Sequence, residues 1–417
     1  MNLRALAFVL AGGKGTRLAP LTSERAKPAV SFAGKYRIVD FVLSNLVNSG
    51  IFSIYVLVQF KSQSLLLHLK DGWQFANILG TQFIIPVPAQ MRAEGETWYR
   101  GTADAIWQNI NLIEQAKPDV VVVFGADHVY RMNVLDMIEY HRQLTADVTI
   151  ATIPADRQFA TEFGVVERMA DGRVVRFIEK DPDAPTIPGA PDKILASMGN
   201  YVFSTDALLR MLHEDAHDKT SAHDFGKDVL PRRLDHDRIF AYDFATNRIP
   251  GDPGNAGSYW RDVGTIDAYF EANMEIRSSS PPLNLYNRRW PLRTASYPDP
   301  PARFEIGSSG AFGEAHDSLV SGGCVIAGRV QKSVLGRNVH VHEGAVLEEC
   351  VILDNCEIGA GAHLKRTILD KNARLPAGER VGFDADRDRQ RWHVTEKGGI
   401  VVVPGTRSPV EVSQIGV

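Results

Sequence analysis

Short, predominantly apolar runs recur through the first two thirds of the chain, at residues 5–10, 54–58, 120–124 and 148–153. Runs of this length without polar alternation are expected of strands buried on both faces of a parallel sheet. Between them apolar residues fall at helical spacing: Ala103, Ile106, Trp107, Ile110 and Ile113, then Val134, Leu135, Ile138 and Leu144. Strands alternating with helices predict an open α/β sheet, whose ligands bind beyond the carboxyl ends of the strands. The pattern then changes. A Ser/Pro stretch at 278–282 and a Pro-rich stretch at 297–301 bracket a region poor in regular structure, as expected between domains. Beyond about residue 318, Val346, Ile352, Ile358 and Leu364 lie six apart, and Leu369, Leu375 and Val381 do so again after a one-residue slip. A six-residue apolar period favours a parallel β-helix over an antiparallel sandwich or barrel. The expected domains are therefore 1–278 and 306–417, joined by a linker over 279–305.

Composition narrows the class without changing this picture. A chain of 417 residues, 44% apolar and 23% charged, is an ordinary globular protein long enough for two cores. The net charge of −4 carries no polybasic signature, so neither nucleic acid nor an anionic membrane is expected as a partner. No apolar stretch approaches the roughly 20 residues of a membrane-spanning helix. The first ten residues lack the apolar core and cleavage site of a signal peptide and read as a strand. The three cysteines, Cys324, Cys350 and Cys356, form no Cys-x-x-Cys pair and fit a reduced, cytoplasmic setting as small core residues.

The first chemistry appears directly after the first apolar run, in Leu10-Ala11-Gly12-Gly13-Lys14-Gly15-Thr16-Arg17-Leu18. Glycines there let backbone N–H groups approach phosphate oxygens, and Lys14 and Arg17 add positive charge. It is not a P-loop, because Gly15 rather than Ser or Thr follows Lys14, and Leu18 stands where a dinucleotide fingerprint needs its third glycine. A glycine-rich stretch alone is equally a tight turn; its place at the end of the first strand favours phosphate. Asp127, just past the run at 120–124, is placed to hold Mg²⁺ against phosphate oxygens. On its own it reads equally as a turn or cap residue. Asp262 is similarly ambiguous, as the cap of a following helix, and the two together form a candidate metal pair. His128 has no ligand-spaced histidine partner and is not assigned to zinc.

Taken together these segments resemble the sugar-nucleotide pyrophosphorylases, and most closely their bacterial glucose-1-phosphate adenylyltransferase branch. The resemblance spans nearly the whole chain. The glycine loop is common to the superfamily. Arg25-Ala26-Lys27-Pro28-Ala29-Val30 and Trp98-Tyr99-Arg100-Gly101-Thr102-Ala103-Asp104-Ala105 are specific to the ATP-using, glucose-phosphate branch. Further matching blocks lie at 125–130, 177–180, 197–201, 221–228, 259–265 and 289–293. The resemblance implies a Rossmann-like nucleotidyltransferase domain, a C-terminal left-handed β-helix serving oligomerisation and allostery, and a homotetramer. It implies the reaction of ATP with glucose 1-phosphate to give ADP-glucose, the glucosyl donor for glycogen, and pyrophosphate. It carries glucose 1-phosphate contacts onto Tyr99, Gly164, Glu179, Lys180 and Ser197. ATP contacts fall on Leu10, Ala11, Gly12, Gly13, Gly15, Thr16 and Gln59. Arg17, Lys27 and Asp127 become the catalytic set, Asp127 and Asp262 the Mg²⁺ ligands, and Arg25 and Arg37 the effector contacts. Phosphorylated or carboxylate metabolites, with AMP among the candidates, are the implied effectors.

Two positions depart from the family. Asp181 follows Lys180 where Pro is common, although Pro182 comes next. Glu24 replaces a Lys that precedes the Arg-Ala-Lys-Pro-Ala-Val block in enzymes activated by fructose 1,6-bisphosphate. An anion there disfavours a bisphosphate, so a different activator is expected, another glycolytic phosphate or a pyruvate-like acid. Three other functions share parts of this pattern: a pyrophosphorylase for another sugar or nucleotide, a non-catalytic regulatory subunit, and a β-helix acyltransferase using His340, His342 or His363.

Overall fold

The computed structural model describes residues 3–74, 82–89, 98–252 and 258–405; both ends of the expected domain spans, 1–2 and 406–417, lie outside them. In chain order the strands that build the first domain are β1 (Ala5–Ala11), β2 (Ser53–Val58), β3 (Phe83–Pro88), β4 (Val120–Gly125), β5 (His128–Tyr130), β6 (Val148–Asp156), β7 (Gly164–Arg168), β8 (Val174–Glu179), β9 (Lys193–Ser204), β10 (Ile239–Asp243) and β11 (Trp260–Asp262). The main sheet runs β8-β7-β9-β4-β1-β2-β3, with β6 paired to β9 and to β10. Its β4-β1-β2-β3 half is parallel, as the apolar runs predict. The whole sheet is mixed, because β9 runs antiparallel to β4, β6 and β7. An apolar run reports burial on both faces but not direction, so this reversal is invisible in the hydropathy pattern.

The helical stripe at 103–113 is two helices, α1 (Thr102–Trp107) and α2 (Ile110–Ala116). The break falls at Asn109, whose side chain donates back to Ala105 O (2.8 Å), a local bond that competes with helix continuation. In α3 (Val134–Gln143) the buried face is Val134, Met137, Ile138 and His141, and Leu135 is exposed instead. His141 is sealed in the core, where its ring nitrogens meet Thr149 Oγ1 (2.9 Å) and Ser204 Oγ (3.1 Å). Burial lowers its pKa from about 6.5 to about 4, against a weaker opposing pull from Asp147. Since the folded pKa is the lower one, this neutral histidine contributes its full stability above about pH 6.5 and loses it as pH falls towards 4. His141→Gln should therefore flatten the fall in melting temperature between pH 7 and pH 4.5; an unchanged slope in thermal unfolding would exclude His141 as its source.

The second domain is a left-handed parallel β-helix whose three faces repeat every 17 residues over most of its length. Val330 stands in register with Leu347, Leu364 and Val381 on one face, and Leu335 with Ile352 and Leu369 on the next. The inward residue at the first hexad position is Leu347, not Val346, which is half-buried. Each coil thus advances five, six and six residues, and the slip between Leu364 and Leu369 is its recurrent short step. One face is apolar on both sides: Ile352 and Leu369 point into the coil, whereas Val351, Leu353, Ile368 and Val402 join a core with Phe32, Phe41, Tyr269 and Phe270 of the first domain. This shared core joins the domains.

Residues 278–302 contain no regular structure but are strapped to the first domain. Thr294 Oγ1 donates to buried Asp40 (2.6 Å), and Trp290 and Leu283 are buried. The first strand of the β-helix is already formed at Arg303–Phe304. All three cysteines are buried and unpaired, and burial raises each thiol pKa. Among the described residues no helix is long and apolar enough to cross a membrane.

Candidate active site

The glycine loop leaves β1 at its carboxyl end and is followed by a single 3-10 turn, Thr16–Leu18. No long helix begins there, so any anion is met by the loop's own N–H groups and side chains rather than by a helix dipole. Gly15 has φ +62°, and a Cβ on it would lie 3.1 Å from Lys27 Cβ, which ties the loop closely to the Arg-Ala-Lys-Pro segment. That segment buries Lys27 with its ammonium 3.2 Å from Asp127 Oδ2 and 2.9 Å from Asp262 Oδ1. The two carboxylates come together because β5 and β11 form an antiparallel ribbon in which His128 stands opposite Asp262.

Burial alone would depress the Lys27 pKa, but Asp127 and then Asp262 more than reverse it, and it is raised. Burial would likewise push Asp127 up; His128 and Lys27 outweigh it and hold the carboxyl well below the usual range. Asp127 still exposes 44% of its side chain, so one carboxylate face is open to the cleft. Potential ligand atoms of Asp127, His128 and Asp262 all lie within 4.8 Å of one another. His128, which has no ligand-spaced histidine partner in the sequence to suggest zinc, is brought beside the pair by the ribbon. A carboxylate pair at the cleft wall, Asp127 open and Asp262 more enclosed beside it, fits Mg²⁺, which prefers one or two carboxylates plus phosphate oxygens.

Arg17 reaches across the cleft to Glu162 (3.2 Å) and stands 3.7 Å from Asp262. On that far side Gly164 begins β7 directly opposite Glu179, which ends β8. A Cβ on Gly164 would fall 2.7 Å from Glu179 Oε2, and one on Gly226 2.8 Å from it, so these two positions leave room only for hydrogen. Lys180, more than half exposed, has its ammonium 2.9 Å from Glu179 Oε1. At the departure, Asp181 Oδ1 accepts from Asp183 N (2.8 Å), closing a local turn after Lys180. Tyr99 OH accepts from Asn109 Nδ2 (3.0 Å), and Ser197 lies where the β6–β9 register shifts.

All of the expected substrate and metal residues line one cleft of about 1030 Å³, from Leu10, Gln59 and the glycine loop at one end to Tyr99, Gly164, Glu179, Lys180 and Ser197 at the other. Residues with no role assigned from the sequence line it too: Phe60 and Glu162 outside the matching blocks, and Tyr201 and Asp224 within them. Phe60 stacks on Trp98 (5.3 Å between centroids). Its signal was its position, one residue after Gln59 at the end of a strand. The β-helix histidines His340, His342 and His363 are not part of this cleft.

Arg25 and Arg37 are also outside it. Arg25 pairs with Asp370 of the β-helix (2.6 Å), and Arg37 donates to Ser64 O (2.7 Å) and Oγ (3.0 Å). Near them Lys371 pairs with Asp354 (2.9 Å), and Arg337 lies over the Tyr297 ring at 3.4 Å and 3.4 Å from Asp299. Burial first, then Arg37 and Arg25, lowers the Lys371 pKa against the pull of Asp354. Cations from both domains therefore crowd one junction. Lys371 and Arg337 carried no sequence signal, since Arg25 and Arg37, which they join at the junction, lie about 300 residues earlier in the chain.

Comparison with known proteins places each half of the chain. The nucleotidyl transferase family matches residues 6–279, and the C-terminal hexapeptide domain of the GlmU-like type matches 300–403. A glucose-1-phosphate adenylyltransferase of Deinococcus deserti is 50% identical over 409 residues, covering 97% of this chain and 99% of its own. The enzyme of the same name from Thermus thermophilus is 48% identical over 409 residues, with the same coverage. Glucose-1-phosphate adenylyltransferase 1 of Vibrio parahaemolyticus is 45% identical over 403 residues, 96% of this chain and 98% of its own.

Proposed function

The chain belongs to the glucose-1-phosphate adenylyltransferases, within the nucleotidyl transferase family, and on that basis we propose that it joins ATP to glucose 1-phosphate, giving ADP-glucose for glycogen synthesis and pyrophosphate. The observation that carries this is the layout of the cleft: a glycine loop with Lys27 and two carboxylates at one end, and the Glu179–Lys180 pair beside a glycine floor at the other.

The phosphate of glucose 1-phosphate is ionised at neutral pH, so the nucleophile needs no general base. One of its oxygens attacks the α-phosphorus of ATP in line; the bond from that phosphorus to the β-phosphate bridging oxygen breaks, and pyrophosphate leaves with the electron pair. The protein's task is to hold two anions together and offset their repulsion. Lys180 holds the sugar phosphate and Glu179 accepts hydrogen bonds from sugar hydroxyls. Arg17 and the loop hold the triphosphate, Gln59 lies near the adenine, and Lys27 faces the reacting phosphates. Asp127 and Asp262 would hold Mg²⁺, which when bound supplies charge neutralisation at the phosphates. Purified protein offered a panel of nucleoside triphosphates and sugar 1-phosphates should release pyrophosphate fastest with ATP and glucose 1-phosphate; a preference for another sugar or nucleotide would reassign the substrate.

The junction cations Arg25, Arg37, Lys371 and Arg337 suit a phosphorylated or carboxylate effector, AMP included. Glu24, exposed beside Arg25, disfavours a bisphosphate there. Fructose 1,6-bisphosphate should therefore activate less than two-fold, whereas a glycolytic monophosphate or a pyruvate-like acid activates strongly; the reverse order in initial-rate assays would overturn this assignment. A homotetramer is the proposed assembly, and the cytoplasm, where buried free thiols stay reduced, the proposed compartment.

A further inference from the structure

Behind the sugar-phosphate end of the cleft lies a second layer of side chains that does not line it. At its centre is His223, buried and held at φ +57°, in the left-handed region that non-glycine residues seldom adopt. Three bonds hold it there. Its Nδ1 is 2.7 Å from Asp215 Oδ2, Ser221 Oγ donates to Asp215 Oδ1 (2.6 Å), and the His223 N–H donates to Ser221 Oγ (2.9 Å). Asp215 and His223 are both nearly inaccessible, so this bond is not exchanged readily for water.

The conformation so fixed aims the His223 carbonyl at the first turn of α1, where it accepts from Ala103 N (2.9 Å) and Asp104 N (3.2 Å). Gly101 packs so closely that a Cβ there would lie 2.2 Å from the same oxygen. The neighbouring residues interlock: Thr102 Oγ1 donates to Asp224 Oδ2 (3.0 Å) and accepts from Phe225 N (2.9 Å). Asp224 Oδ1 accepts from Gly226 N (3.0 Å), and Gly226 backs directly onto Glu179. At the same first turn of α1, Arg100 N donates to Asp104 Oδ2 (2.8 Å), which ties the Tyr99–Arg100 segment to that helix.

We propose that His223, clamped by Asp215 and Ser221, is a positioning residue: its carbonyl registers the Tyr99–Thr102 segment against Asp224, Gly226 and Glu179, and so sets the width of the sugar-phosphate pocket. This rests on the reading of that pocket as the glucose 1-phosphate site.

Three variants test it: His223→Ala, His223→Asn and Asp215→Asn. Asn tolerates the left-handed conformation and can still donate to Asp215. His223→Ala should raise the KM for glucose 1-phosphate on the order of ten-fold, leave that for ATP within about two-fold, and increase amide exchange across 99–105. His223→Asn should recover most of the loss. An unchanged glucose 1-phosphate KM in His223→Ala, equal rises for both substrates, or an Asn variant as impaired as Ala would overturn the proposal. Should the Ala variant not fold, Asp215→Asn carries the same test, with a selective rise in glucose 1-phosphate KM expected. A wild-type protein that makes no ADP-glucose would refute the substrate reading instead; raised exchange across 99–105 in the variants would still report the clamp.

Discussion

Replacing Asp127 by alanine should lower kcat on the order of a thousand-fold while moving the KM of either substrate only a few-fold. The side chain stands in the turn between β4 and β5, 3.2 Å from Lys27 and within 4.8 Å of the ligand atoms of His128 and Asp262. Its removal takes away one of two carboxylates that would fix Mg²⁺ and frees Lys27, held between them, to turn towards Asp262 alone. Both changes act where charge shifts during transfer, not where the ground-state substrates are mainly gripped. Steady-state rates at saturating Mg²⁺ check this: turnover near that of the wild type would remove Asp127 from the catalytic set.

The opposite signature is expected at Lys180. Lys180→Ala should raise the KM for glucose 1-phosphate by roughly 100-fold, the worth of a strong charge-assisted bond, and leave kcat within several-fold. The ammonium projects from a residue at φ +54° beside Glu179, which its partner across the strands, Gly164, leaves room to enter the pocket. Lys180→Arg should recover only part of the loss, because the planar guanidinium does not occupy the place of a compact ammonium. A KM for ATP rising in parallel would show that Lys180 serves the nucleotide instead.

How much of this was legible in advance depended on whether the signal was local. The glycine loop announces itself because backbone approach to phosphate demands glycine in consecutive positions. The β-helix announces itself because each coil repeats its buried positions; only Leu347 lies one position off a strict six-residue period, because the five-residue step belongs to every turn. The reversal of β9 left no trace, because burial on both faces looks the same in either direction. The break at Asn109 was hidden by apolar residues that keep helical spacing across two helices. Within the site, Asp127 and Asp262 read singly as caps or turn residues; the sequence offers them as a candidate pair, and the β5–β11 ribbon supplies the register that brings them together. Family resemblance supplied Glu179 and Lys180. The clamp on His223 and the junction partners Lys371 and Arg337 depend on contacts that only the folded chain brings together.

One measurement bears most directly on the central claim. Purified protein incubated with Mg²⁺, ATP labelled at the α-phosphate and glucose 1-phosphate should yield labelled ADP-glucose and pyrophosphate in equal amounts, and added pyrophosphate should drive the reaction back to labelled ATP. Pyrophosphate release without labelled ADP-glucose, or synthesis of a different nucleotide sugar at the higher rate, would contradict the account.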